Sequence, residues 1–189
     1  VSDQPNSQLQ EIALAHGVGT DHPLLRDLMF TDVERPIVAQ FFSRDPERMR
    51  RAAALARDLG YDGVDINMGC PANVICRQGA GAAMIKEPAL AQEIIRATQA
   101  GAGDLPVSVK TRIGFNNDEL DTWLPALLAV DPVCVTLHAR TRRDMSKVPA
   151  KWETITRAVQ IRNDTAPHIL IMGNGDVDSR TEGLARAQE

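Results

Sequence analysis

The chain has 189 residues, of which 43% are hydrophobic, 24% charged and 4% aromatic, a composition typical of globular proteins and not of disordered or fibrous chains. The formal net charge of −4 does not by itself indicate a nucleic-acid-binding module. No stretch reaches the ~18 consecutive apolar residues that a membrane-spanning helix needs, and the polar N-terminal segment lacks the features of a signal peptide, so we expect no membrane association.

Apolar β-branched runs alternate along the chain with segments of helical period. The runs predict strands at 36–42, 63–69, 106–114, 132–140 and 168–177. The intervening segments predict helices at 45–60, 88–100, 118–129 and 152–163, with another starting near 178. Asp45 before Pro46 is typical of a helix start, and Gly60 and Gly101 are typical of helix ends. The alternation predicts an α/β fold with parallel strands, and the continuous apolar runs indicate strands covered on both faces.

A doubly wound sheet and a (β/α)8 TIM barrel share this alternation. Polar side chains distinguish them, because one recurs where each predicted strand ends: Gln40, Asn67, Lys110, His138 and Asn174. In a barrel these ends converge on one mouth that holds the active site, whereas in an open sheet they spread along an edge. The pattern favours a partial barrel of about five parallel strands. Because a complete barrel needs more than about 200 residues, we expect its N- and C-terminal parts to be missing.

The segment DINMGCPANVICRQGAGAA, residues 65–83, places Cys70 on a Gly-Cys-Pro turn at the end of the second predicted strand. Free cysteines are more often small buried hydrophobic residues, which is the interpretation that Cys76 and Cys134 keep. A thiol at the mouth acts either as a nucleophile beside a base such as His138 or as an acid, because ordinary thiols are mostly protonated at neutral pH. These residues leave both roles open. The odd number of cysteines, without metal-site or disulfide spacing, predicts no metal site and a reducing compartment, the cytoplasm.

Other segments suit anionic ligands. Residues 138–151 carry five Arg and Lys side chains against the single Asp144, which makes them either a solvated loop or a phosphate-binding one. The glycines of GAGAA, residues 79–83, either pack or admit a phosphate. The GNGD turn at 173–176 directly follows the apolar residues of the last predicted strand. Lys110, within the ring of polar strand ends, suits an anionic cofactor or developing negative charge.

Together these segments resemble the flavin-dependent tRNA-dihydrouridine synthases. The signature-like stretches follow the family's order and approximate spacing: DINMGCPANVICRQGAGAAMIKEP at 65–88, VSVKTRIG at 107–114, TLHARTR at 136–142 and IMGNGDV at 171–177. RPIVAQFFSRDPERM is similar to the preceding family segment, so the resemblance covers roughly residues 35–177. It implies an FMN-containing barrel that reduces the C5=C6 bond of a uridine in tRNA, with NADPH as the usual electron donor.

Position by position, the resemblance implies FMN contacts at Gln40, Lys110, His138, Asn174, Gly175 and Asp176. It makes Cys70 the general acid that protonates uracil C5 after hydride transfer from reduced flavin to C6, and it places Asn67 and Arg140 beside the uracil. The target uridine is expected to flip out of the RNA stack. The basic loop at 138–151 becomes a candidate for RNA backbone contact.

Some family segments have no counterpart here: the first barrel strand, the last strand with its phosphate contacts, and the C-terminal helical domain that docks tRNA. We therefore expect residues 1–189 to be an incomplete FMN-binding barrel domain that binds FMN poorly alone. Two rival functions are an FMN barrel of the dihydroorotate or dihydropyrimidine dehydrogenase type, which shares N-x-x-C-P after a strand, and an inactive RNA-binding barrel. HARTR and MGNGDV favour the tRNA enzymes, and the intact Cys70, Lys110 and NGD turn favour turnover.

Overall fold

The computed structural model describes residues 4–19 and 27–188. The strands are β1 Val38–Phe41, β2 Gly63–Met68, β3 Val107–Arg112, β4 Cys134–His138 and β5 Leu170–Asn174. The helices are α1 Gln4–Ala15, α2 Pro46–Asp58, α3 Asn73–Arg77, α4 Pro88–Ala102, α5 Leu120–Leu128, α6 Glu153–Thr165 and α7 Arg180–Arg186. Short 3-10 helices lie at Asp32–Glu34 and Gly81–Lys86. The sequence analysis did not predict α1, α3 or the 3-10 helices. None of the described helices has the length and apolar character needed to cross a membrane.

The five strands form one parallel sheet in the order β1-β2-β3-β4-β5. Right-handed crossovers between successive parallel neighbours return every connecting helix to the same face, whereas a doubly wound sheet reverses its order and carries helices on both faces. The sheet is therefore an arc of a singly wound barrel, and the prediction of a partial (β/α)8 barrel with five parallel strands is confirmed.

One face of this arc is packed and the other is open. Side chains such as Val64, Ile66 and Met68, which are at most 1% exposed, pack under the helices α2, α4, α5 and α6, which neighbour one another in that order. On the opposite face, Leu170 is 63% exposed and Met172 57% exposed. The prediction that both faces are covered is therefore wrong for this sheet. Five strands curve only part of the way round a barrel, so their inner face meets solvent.

Local chemistry sets the helix ends. Asp45 caps α2, because its Oδ1 accepts from two backbone N–H groups of the first turn at 2.9 and 3.2 Å, and Pro46 occupies the first turn as predicted. The predicted end of α4 at Gly101 is wrong. The helix continues to Ala102, and Gly103 takes the positive φ of 63° that ends it, a conformation that glycine adopts without steric cost.

Gly101 instead lies where the backbones of α2 and α4 pack closely together. A Cβ on Gly101 would lie 2.0 Å from the backbone oxygen of Arg50. Helix propensity alone favours alanine over glycine by about 1 kcal/mol, so any loss of stability must be steric. We expect Gly101→Ala to lower the free energy of unfolding by about 1–3 kcal/mol, as measured by urea denaturation.

Gly183, in α7, is the matched control for this substitution. A Cβ there would meet its nearest neighbour, a Val177 methyl, at 3.4 Å, so Gly183→Ala is expected to be neutral or slightly stabilising. Equal losses in the Gly101 and Gly183 variants would contradict the steric explanation.

Candidate active site

A chain of hydrogen-bonded side chains crosses the inner face from β3 to β1. Ser108 Oγ donates to Asp65 Oδ1 at 2.6 Å, and Gln40 Nε2 donates to Asp65 Oδ2 at 2.7 Å. An ionised carboxylate accepts only, so Asp65 fixes which end of the Gln40 amide faces it. Gln40 Oε1 is then left to accept from Asn67 Nδ2 at 3.0 Å. The structure thus brings the predicted Gln40 and Asn67 together.

Asp65 is a residue of this network that the sequence analysis missed. It lies two positions before Asn67 on β2, and side chains two apart on a strand share a face. That spacing was the available signal, since an acidic residue inside an otherwise apolar strand needs a polar partner on its own face.

Cys70 lies on a tight turn directly after β2, as predicted. Asn67 Oδ1 accepts from the backbone N–H groups of Gly69 at 3.1 Å and of Cys70 at 2.9 Å, a side-chain-to-backbone arrangement that replaces part of a turn. The Cys70 carbonyl accepts from the Ala82 N–H at 3.0 Å. The thiol itself is free and half-buried. The backbone on both sides of the sulfur is therefore held, while the sulfur keeps some access to solvent.

Gly79 and Gly81 have packing reasons for their lack of a side chain. A Cβ on Gly81 would lie 2.9 Å from the Cys70 carbonyl oxygen, and one on Gly79 would lie 3.1 Å from the Arg44 side chain. Gly79 and Gly81 also have positive φ angles, 75° and 59° respectively. Their backbone supports the turn that carries Cys70, and nothing in this packing requires a phosphate.

Lys110 and Asn174 meet on the inner face. Lys110 Nζ donates to Asn174 Oδ1 at 3.1 Å, and the ammonium forms no ion pair within the part of the chain that the structure describes. Burial and then the Arg112 charge lower the pKa of Lys110, and the Asp65 charge opposes that change. Lys110 is thus a half-buried cation that has an amide, and no carboxylate, as its hydrogen-bond partner among the described residues.

His138 lies one strand further along the arc, directly opposite Asn174 in the register. Burial and then the charges of Arg112, Lys110 and Arg140 lower the pKa of His138 to about 4. The imidazole is therefore neutral at physiological pH. An Arg140 guanidinium nitrogen lies 3.2 Å from its Nε2, and because a guanidinium only donates, Nε2 accepts. No hydrogen bond joins His138 to Cys70, so this geometry does not support the nucleophile-and-base alternative.

The depressed pKa of His138 makes stability depend on pH in the weakly acidic range. The unfolded chain binds a proton near pH 6.5, whereas the folded chain binds it only near pH 4. The folded state therefore loses stability as the pH falls through this interval, because the unfolded state holds more protons there. We expect the parent protein to lose stability between these pH values more steeply than His138→Gln does.

Urea unfolding at a series of pH values measures this difference. His168→Gln removes a histidine whose side chain is 67% exposed and is expected to keep the steep parental dependence. Parallel pH dependences for the parent and His138→Gln would contradict the assignment of the low pKa to His138.

Arg140 and Asp176, predicted to contact uracil and FMN respectively, contact each other in the structure. Arg140 is 6% exposed. One terminal nitrogen donates to both carboxylate oxygens of Asp176 at 2.7 and 2.6 Å, and its Nε donates to the Val148 carbonyl at 2.7 Å. With the His138 contact, a single N–H of Arg140 remains. Hydrogen bonds from Arg140 and from the Ala150 N–H lower the pKa of Asp176. This pair joins the loop after β4 to the end of β5.

Gly175 is placed beside the same loop. A Cβ on Gly175 would lie 2.7 Å from the Cβ of Ala150, and one on Gly173 would lie 2.9 Å from the Trp152 ring. The glycines of the GNGD turn therefore let the segment before α6 pack across the end of β5.

Arg112 is a further residue at this edge to which the sequence analysis gave no role of its own. It is 7% exposed. Its Nε donates to the Gly69 carbonyl at 2.9 Å, and one terminal nitrogen donates to the carbonyls of Thr141 and Met145, each at 3.1 Å. Arg112 thus joins the Cys70 turn to the loop after β4. In residues 4–19 and 27–188, no three His, Cys, Asp or Glu side chains lie close enough together to hold a metal ion.

The carboxyl ends of five parallel strands therefore gather a cysteine turn, a half-buried lysine, a neutral histidine and several amides. This fold is that of a domain of the (β/α)8-barrel class, in which functional residues lie at that end of the strands. The family model described as Dihydrouridine synthase matches residues 18–189. The chain belongs to the dihydrouridine synthase family, as the resemblance implied.

Curated relatives agree. The Probable tRNA-dihydrouridine synthase 2 of Bacillus subtilis (strain 168) is 43% identical over 163 residues, which cover 86% of this chain and 50% of the relative. The Probable tRNA-dihydrouridine synthase of Staphylococcus aureus (strain COL) is 40% identical over 169 residues, which cover 89% of this chain and 51% of the relative. The same figures hold for the protein of that name from Staphylococcus epidermidis (strain ATCC 12228 / FDA PCI 1200). The chain spans about half the length of the curated relatives it matches.

Proposed function

We propose that the protein carrying this chain is a tRNA-dihydrouridine synthase. It reduces the C5=C6 bond of a uridine in tRNA, with FMN as cofactor and NADPH as electron donor. The observation that carries this proposal is the Cys70 turn of a dihydrouridine synthase family chain, held by Asn67 at the same end of the barrel arc as the half-buried ammonium of Lys110.

The inner face suits a flavin. Lys110 offers a half-buried positive charge that forms no ion pair among the described residues, which matches the negative charge that a reduced flavin ring gains. Neutral His138 and the Asn174 amide offer hydrogen-bonding groups beside it. The proposed FMN contacts are Gln40, Lys110, His138, Asn174, Gly175 and Asp176. Because Arg140 and the Ala150 N–H occupy the Asp176 carboxylate, we assign the Asp176 contact to its backbone.

FMN, when bound, supplies the hydride that reduces uracil C6. The protein's own part is to position the groups and to deliver one proton. The Cys70 thiol donates its proton to C5, so that one hydride and one proton together saturate the C5=C6 bond. Lys110 stabilises the negative charge that develops before the proton arrives.

Two residues contact the uracil in this proposal. Asn67 has one N–H of its amide left after its bond to Gln40, and Arg140 has a single remaining donor. Arg140 therefore contributes mainly by holding His138 and Asp176 in place. This division also explains why a buried arginine lies so close to a site for a neutral base.

At the edge of the site, this proposal assigns recognition of the substrate RNA to the charge of its phosphates. Arg143, Lys147 and Lys151 are exposed on the segment after β4, and we assign them to contacts with RNA phosphates. The uridine reaches the mouth only after it leaves the stack, so these contacts hold the backbone on either side of the flipped nucleotide.

The complete protein is assayed for NADPH-dependent dihydrouridine formation in unmodified tRNA, in parallel with oxidation of free dihydroorotate and dihydropyrimidines. Dihydrouridine in the RNA without turnover of the free compounds supports the proposal. Turnover of the free compounds alone would favour a dehydrogenase, which shares the N-x-x-C-P segment. Binding of tRNA with neither reaction would favour an inactive RNA-binding barrel.

A further inference from the structure

Arg142 reaches from the loop after β4 to the far side of the Cys70 turn. Its Nε donates to the Pro71 carbonyl at 3.2 Å, and a terminal nitrogen donates to Asn73 Oδ1. These contacts join residues about seventy positions apart in the chain. The side chain is half-buried, so this is not a loose surface contact.

The Arg142 side chain is itself held in place from a third loop. Its guanidinium carbon lies 5.2 Å from the centre of the Phe115 ring, and its backbone N–H donates to the Gly114 carbonyl at 2.9 Å. Both residues follow β3. The loops after β2, β3 and β4 therefore meet at one arginine, and a planar guanidinium that stacks and forks in this way is not replaced by an ammonium.

Arg142 completes a set of anchors around the thiol. Arg112 holds the Gly69 carbonyl, Asn67 holds the Cys70 N–H, and Arg142 holds the Pro71 carbonyl. Each residue of the Gly-Cys-Pro turn thus has at least one backbone group bound by a side chain. Arg112 and Asn67 act from the sheet beneath the turn, and only Arg142 in this set acts from the neighbouring loop.

We propose that Arg142 is a positioning residue for Cys70, which fixes the turn so that the thiol presents its proton to the substrate. The catalytic consequence of this inference rests on the proposed function. The hydrogen bonds of Arg142 to the turn, which we call the clamp, do not depend on it. A displacement of a reacting group by about 1 Å costs on the order of 10²-fold in rate. The effect of losing Arg142 therefore falls on kcat and not on the affinity for tRNA.

The test compares Arg142→Ala, Arg142→Lys and Arg143→Ala in the complete protein. We expect Arg142→Ala to lower kcat for dihydrouridine formation by about 10- to 100-fold with little change in KM for tRNA. Arg142→Lys keeps the charge but not the fork, so it is expected to remain as impaired. Arg143→Ala, which removes an exposed cation next to Arg142, is expected to raise KM for tRNA, as the loss of a phosphate contact does. A full recovery in Arg142→Lys, or a change in KM alone in Arg142→Ala, would overturn the proposal in favour of a simple RNA-binding cation.

A second measurement needs neither tRNA nor NADPH. The rate of Cys70 alkylation by iodoacetamide, followed by peptide mass spectrometry, reports the freedom of the turn. We expect alkylation to be at least about threefold faster in Arg142→Ala, because a turn that opens locally exposes its thiol, and to be unchanged in Arg143→Ala. A parental alkylation rate in Arg142→Ala would overturn the clamp.

The two measurements keep this inference separate from the proposed function. If the parent forms no dihydrouridine, the proposed function fails, and the alkylation rates still decide whether Arg142 holds the turn. If Arg142→Ala does not fold, Asn73→Ala removes the same hydrogen bond from its exposed acceptor side. It is then expected to show the same direction of change in kcat and in alkylation, and parental values in both would overturn the proposal.

Discussion

Cys70→Ala is expected to slow dihydrouridine formation by about 10²- to 10⁴-fold, the range that a positioned general acid contributes. The thiol lies on a turn whose neighbouring backbone groups are bound by Asn67 and by the Ala82 N–H, so removing the sulfur leaves the shape of the site intact. Reduction of bound flavin by NADPH is expected to proceed at the parental rate, because that half of the reaction needs no proton donor at C5. Single-turnover formation of dihydrouridine, followed by mass spectrometry of nucleosides, measures the first effect.

Two further cysteine variants make this test specific. Cys70→Ser keeps a similar shape but offers a hydroxyl, a much weaker acid, and is expected to be nearly as slow as Cys70→Ala. Cys76→Ala removes a neighbouring half-buried thiol whose contact with the Cys70 carbonyl is a weak one of 3.6 Å, and it is expected to keep near-parental turnover. Turnover in Cys70→Ala close to that of the parent, or an equal loss in Cys76→Ala, would contradict the acid role of Cys70.

Most of the fold was accessible from the sequence because βα alternation leaves strong local signals. The predicted strands overlap all of β1 to β5, and Asp45 marked the start of α2. Gly101 was wrongly predicted to end α4, because a glycine at a helix end and a glycine at a helix crossing look alike in sequence. Only the structure distinguishes the two, because a Cβ on Gly101 would lie 2.0 Å from the Arg50 backbone oxygen. Likewise, the apolar runs did not reveal that one sheet face is open, since barrel interiors and two-sided sheets use similar residues.

Some contacts of the candidate site were predictable from the sequence and others were not. Residues at strand ends, such as Lys110 and Asn174, were predicted to lie together because parallel strands bring their carboxyl ends to one edge. The partners of the arginines were not predictable in this way. Arg140 pairs with Asp176 and Arg142 with Asn73, 36 and 69 positions away. The tertiary structure determines which partners long side chains contact, and no local pattern in a single sequence indicates those partners.

Arg112→Lys is expected to lower the free energy of unfolding by about 2–4 kcal/mol, because each buried carbonyl that loses its donor costs on the order of 1–3 kcal/mol. The guanidinium serves the carbonyls of Gly69, Thr141 and Met145 from two of its nitrogens. A lysine has one nitrogen at the end of a flexible chain, and it does not reach both loops together. Burial and the Arg140 charge lower the pKa of Arg112, and the Asp144 charge opposes that change. The guanidinium forms no ion pair among the described residues, so hydrogen bonds to backbone carbonyls hold it in place.

Arg157→Lys provides the comparison, because Arg157 is 39% exposed and pairs with Asp118 on the surface. Exposed pairs contribute roughly 0–1 kcal/mol, so urea unfolding of this variant is expected to resemble that of the parent. Hydrogen exchange adds a spatial test, since Arg112→Lys is expected to raise exchange in the Cys70 turn and in the segment 141–145 together. Equal stability of the two variants, or faster exchange in only one of those segments, would contradict the assignment of Arg112 as the residue that joins the two segments. Through these hydrogen bonds, Arg112 joins the loop that we propose to contact RNA to the turn that carries Cys70, the proposed proton donor.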